Sequence, residues 1–96
     1  MGTIVYDKAA WHIDAGLPRS MVLQHFGFIL RWANEHNLLT EAGVEILEFG
    51  VDESVSLHSM MFTPRGNRFM ELNYDVFINA LDNDEERLNV ALSTVV

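Results

Sequence analysis

Ninety-six residues, 49% apolar, with no cysteine and a formal net charge of −8, fit one domain. They exclude a disordered tail, disulfides, thiolate metal sites and thiol catalysis. No apolar run reaches the roughly 18 residues of a membrane span, and no basic segment followed by an apolar stretch opens the chain, so no secretory signal is expected and the cytoplasm is the expected compartment. Fourteen acidic residues against six basic ones disfavour direct binding of nucleic acid or anionic lipid and favour a basic partner, although acidity also serves solubility alone.

In chain order, Thr3-Ile4-Val5-Tyr6 is a short apolar start. Asp7 suits the N-cap of a helical turn, which Gly16 and Pro18 end. The strongest helix runs from Pro18 to His36, started by Pro18 or Ser20. Val22, Phe26, Ile29 and Ala33 fall on one face, Leu23, Leu30 and Trp32 widen it, and Gln24, Arg31 and Glu35 leave a narrow polar stripe, so this helix is central. Gly27 costs it about 1 kcal/mol of propensity, which predicts the close approach of another element. Asn37 suits the left-handed position that ends a helix.

Thr40 is a fair N-cap for a helix that reaches about Phe49 and stops at Gly50. Val44 and Leu47 point inward. Glu41, Glu45 and Glu48 share one exposed face, and Asp52 and Glu53 extend the negative region. Residues 51–74 have two readings. Val55, Leu57 and Met61 suit a strand, with a hairpin at Pro64-Arg65-Gly66 that puts Phe62 and Phe69 on its arms. Alternatively Thr63 caps a helix that Pro64 begins, with Phe69 and Leu72 facing the core. Asp82 and Glu85 have capping-box spacing, and Leu88, Ala91, Leu92 and Val95 form the inward face of the last helix. Its apolar end is either docked or meets a partner.

Few residues carry recognisable chemistry. His12 beside Trp11 has the makings of a general base, but no Ser or Cys nucleophile stands in a known context. The simpler reading is that Trp11 anchors the N-terminal segment to the core while His12 donates a structural hydrogen bond. His25 and His36 share a helix face at a spacing of eleven, unlike the i, i+4 pairs of metal sites, and are expected to be surface or partly buried residues. Asp82-x-Asp84-x-Glu86 echoes a calcium loop, but Arg87 and Ser93 stand where Gly and Glu are required. No metal and no cofactor is expected. Met60, Met61 and Met70 read as fillers of core gaps.

The pattern Tyr6-Asp7-x-Ala9-x-Trp11-His12 resembles the opening of a family of small uncharacterised bacterial proteins. The run His25-Phe26-Gly27-Phe28-Ile29-Leu30-Arg31-Trp32-Ala33 closed by His36-Asn37-Leu38-Leu39, the Thr63-Pro64 start and the acidic Asp82-to-Glu86 start are similar to its later elements. The chain departs from the pattern at Asp14-Ala15-Gly16-Leu17-Pro18, where the family carries an acidic Gly-Asp-Phe-Pro loop, and it lacks an aromatic stretch after the last helix. Members resemble immunity proteins that neutralise a cognate toxin.

Residues 1–96 are therefore expected to form a single all-α domain around the helix 18–36, or an α+β domain with a hairpin near 54–74. The expected role is not enzymatic: an immunity-type inhibitor that blocks a toxin's active site or basic cleft. Glu41, Glu45, Glu48 and Asp52 form its first contact patch, and Asp82, Asp84, Glu85 and Glu86 its second. The alternatives are a structural or oligomeric interaction protein, including a homo-oligomer, and a small hydrolase using His12.

Overall fold

The computed structural model describes residues 3–78 and 83–95, with side chains given as far as Tyr74 and again from Asn83. Strand β1 (Val5–Lys8) leads directly into α1 (Ala9–Asp14). Then come α2 (Arg19–Glu35), α3 (Glu41–Phe49), strand β2 (Ser56–His58), a 3-10 turn (Ser59–Met61), α4 (Pro64–Ile78) and α5 (Glu85–Ser93). The described chain is mostly helical with one small antiparallel sheet, so the α+β alternative fits it better than the all-α reading. No described helix is long and apolar enough to cross a membrane.

The sheet is not the hairpin that the sequence offered. β2 pairs with β1, far upstream, with Val5 opposite His58, Asp7 opposite Leu57 and Lys8 opposite Ser56. The register slips between Val5 and Asp7, as when a bulge inserts one extra residue. The segment after β2 goes helical instead: Thr63 Oγ1 accepts the Gly66 N–H at 3.2 Å, and Pro64 opens α4. Asn67 then staples the corner. Its Nδ2 donates to the Ser59 and Phe62 carbonyls at 3.0 and 3.1 Å, and its Oδ1 accepts the Tyr6 hydroxyl at 2.7 Å.

α2 forms as its periodicity predicts. Val22, Phe26, Ile29, Leu30, Trp32 and Ala33 are buried, while Gln24, Arg31 and Glu35 are exposed. Asn37 takes φ +59, the Leu38 N–H returns to the Ala33 carbonyl at 2.8 Å and the Asn37 N–H to Asn34 at 3.1 Å, which together close the helix as a Schellman motif. The close approach predicted at Gly27 is only a side-chain one, since a Cβ there would meet Arg31 and Val51. Backbone presses on glycine elsewhere: the Met61 carbonyl lies against Gly43, and the Leu38 carbonyl oxygen sits 2.6 Å from where a Cβ on Gly66 would be.

Several local expectations change for physical reasons. Asp7 is not a cap but a buried strand residue, and Lys8 precedes α1. Thr40 holds the cap position of α3, yet its hydroxyl donates to the Met60 carbonyl at 2.7 Å. Leu72 is 68% exposed, because it lies about 200° round the helix from the buried Met70. Asp84 caps α5, accepting the Glu86 and Arg87 N–H groups at 3.1 and 3.3 Å. The capping box expected from Asp82 lies outside the described residues. Leu88, Leu92 and Val95 are buried and Ala91 packs against the core, so Val95 is docked in its own chain.

Candidate functional site

The most concentrated chemistry lies where β1, α1, α2 and α4 meet. β1 turns Asp7 inward, fully buried, between exposed or half-exposed neighbours. A buried carboxylate is tolerated only when hydrogen-bonded, and Asp7 is. Its Oδ1 accepts the Lys8 N–H at 2.8 Å, and His12 Nε2 lies 2.8 and 2.9 Å from its two oxygens. The Tyr74 hydroxyl donates to Oδ2 at 3.1 Å. Behind it, Tyr74 Oη stands 3.4 Å from His25 Nε2, and His25 Nδ1 stands 3.0 Å from Asn83 Oδ1. Five side chains thus form one polar chain through the core.

The electrostatics follow from burial. Loss of water pushes the Asp7 carboxyl above its ordinary value, opposed by the hydrogen bonds from His12, Tyr74 and the Lys8 amide and by the charge of His12. Burial, together with the neighbouring Asp7, drives the Tyr74 phenol far above its ordinary range, so it remains a donor at physiological pH. Whichever of the two carries the proton, the His12 ring nitrogen and the Asp7 carboxyl form one hydrogen-bonded pair.

A histidine oriented by a carboxylate is half of a general-base pair. The other half is a group to deprotonate and a space in which to do it. The His12 side chain is 17% exposed, and among the described residues its ring hydrogen-bonds only with Asp7. Three surface grooves among the described residues are lined by other side chains than Asp7, His12, His25 and Tyr74. The hydrogen bonds link side chains of β1, α1, α2 and α4. No three described His, Asp or Glu side chains gather as metal ligands.

The remaining predicted residues fall in different settings. Trp11 does not anchor the core: it is 54% exposed, with Lys8 Nζ 5.6 Å from its ring centroid. His25, expected at or near the surface, is fully buried. His36 lies against Trp32 with ring centroids 4.9 Å apart. Glu41, Glu45 and Glu48 are all exposed on α3, as the spacing implied, and Phe49 beyond them is 87% exposed. Asp52 is less available. Its carboxylate accepts the Ser54 N–H at 2.9 Å and the Ser54 hydroxyl at 2.5 Å, and these bonds hold its carboxyl below the ordinary range. Glu53 pairs with Arg19 at 3.1 Å. In the second patch, Asp84 is occupied in capping, Glu85 and Glu86 are exposed, and Asp82 lies outside the described residues.

Sequence reasoning missed Asp7, His25, Tyr74 and Asn83 as one network. One signal was present: His25 sits three residues after Val22 and four before Ile29, on the face that helical spacing marks as core. No family model, curated protein or solved structure matches the chain.

Proposed function

We propose that the chain is a protein-binding, immunity-type inhibitor that occludes the basic cleft of a cognate bacterial toxin. The observation that carries this reading is the outer stripe of α3. Glu41, Glu45 and Glu48 stand exposed without ion pairs among the described residues, and an almost fully exposed Phe49 follows them. Carboxylates steer a basic partner, and an exposed aromatic supplies the contact that desolvates on docking. The net charge of −8 adds to the same field. The decisive experiment reads the genes adjacent to the chain's own for a toxin domain and expresses any found together with the chain; finding none counts against the reading. Growth should be restored by the chain and lost again with Glu41→Gln, Glu45→Gln and Glu48→Gln combined.

A second reading, a small hydrolase, is favoured by the His12–Asp7 geometry alone. It requires a His12→Ala variant that keeps its fold and loses turnover of a substrate. The oligomer reading loses its simplest surface, because Val95 is already packed into its own core.

A further inference from the structure

A groove of about 340 Å3 runs between α2 and the end of α3, at the lower end of the ~300–1,000 Å3 typical of ligand sites. Its apolar surface comes from Leu23 on α2 and from Leu47 and Val51 opposite, all half-buried. Gly27 opens a notch in the α2 wall: the nearest atoms to a Cβ there would be Arg31 Nη1 at 3.1 Å, Arg31 Cζ at 3.9 Å and Val51 at 4.0 Å. The Arg31 side chain thus folds back over the notch, one turn along the same helix. Arg31 is an exposed residue and takes no ion pair among the described residues, although the chain carries fourteen acidic residues.

We propose that this groove binds an unbranched aliphatic monocarboxylate, its carboxylate on Arg31 and its hydrocarbon along Leu23, Leu47 and Val51. The planar fork of a guanidinium matches a carboxylate in bidentate fashion. One cation balances one negative charge, whereas the field of a strongly acidic protein repels a dianion such as a phosphate monoester. The apolar walls reward a tail in proportion to its buried area. A neutral amphiphile gains the second contribution without the first.

The test is an amide-resolved NMR titration of the full chain with octanoate and, separately, with n-octanol. Octanoate should shift the amides around Gly27, Arg31 and Val51 saturably and bind at least about tenfold more tightly than octanol, the difference that one charge-assisted contact supplies. Arg31→Gln should abolish that difference while leaving octanol binding unchanged. Gly27→Ala, which improves helix propensity, should weaken both ligands by placing a methyl group in the notch. No saturable shift at these amides, equal affinity for the two ligands, or unchanged octanoate binding in Arg31→Gln would each overturn the proposal. Neither substitution touches Glu41, Glu45 or Glu48, so toxin protection by the two variants reads the inhibitor reading separately.

Discussion

Asp7 makes the stability of this molecule depend on pH. Burial raises its carboxyl pKa, so between the ordinary value of 3.8 and the higher folded value the native state binds more protons than the unfolded chain. The contribution of Asp7 to stability is therefore present at the acid end of that window and is lost as pH rises through the folded pKa. Asp7→Asn removes this dependence. The stability of the variant minus that of the natural chain should grow with pH across the window, as read from urea midpoints at a series of pH values; a difference that shrinks with pH contradicts the assignment. Tyr74→Phe deletes a hydrogen bond that pulls the Asp7 pKa down. It should cost about 1–3 kcal/mol and extend the pH-dependent window upward. The same scale shows why this site was only partly legible. His12 lies five positions from Asp7, but Tyr74 reaches it across 67 positions, and no local spacing encodes such a meeting.

Among the elements, what could be read were those whose signal is local. α2 announces itself by periodicity and Asn37 by its tolerance of positive φ, whereas the Thr63-Pro64 start offered α4 only as one of two readings beside a hairpin. The strands did not announce themselves, because β1 and β2 are short and each finds its partner some fifty residues away. The glycines show the same limit. Gly27 and Gly66 both lie in helices and both are buried, yet they should respond oppositely to alanine. At Gly27 the only tight neighbour is the flexible end of Arg31, so Gly27→Ala should gain up to about 1 kcal/mol of propensity. At Gly66 the neighbour is the fixed Leu38 carbonyl oxygen at 2.6 Å, so Gly66→Ala should cost about 1–3 kcal/mol through overpacking. Thermal midpoints of the two variants should move in opposite directions.

At the scale of the whole molecule, the buried polar chain and the outer carboxylates divide the charge into two populations with different work. Asp7 is hydrogen-bonded within β1 and to α1 and α4, whereas Glu41, Glu45 and Glu48 take no ion pair among the described residues. Their repulsion at i, i+4 and i, i+3 is mildly destabilising, so replacing all three with Gln should leave the thermal midpoint level or slightly raised. Long-range charge acts on the encounter of two proteins, and close apolar contact acts on how long they stay together. The triple Gln variant should therefore bind the cognate toxin with an association rate reduced about tenfold at low salt and with a flattened salt dependence. Its dissociation rate should change little. Phe49→Ala should do the reverse, leaving association intact and costing about 2 kcal/mol, expressed in faster dissociation. Stopped-flow association and competition-based dissociation measurements on the two variants separate these effects. If both substitutions changed only dissociation, α3 would be an ordinary contact surface and the acidic field would serve solubility rather than recognition.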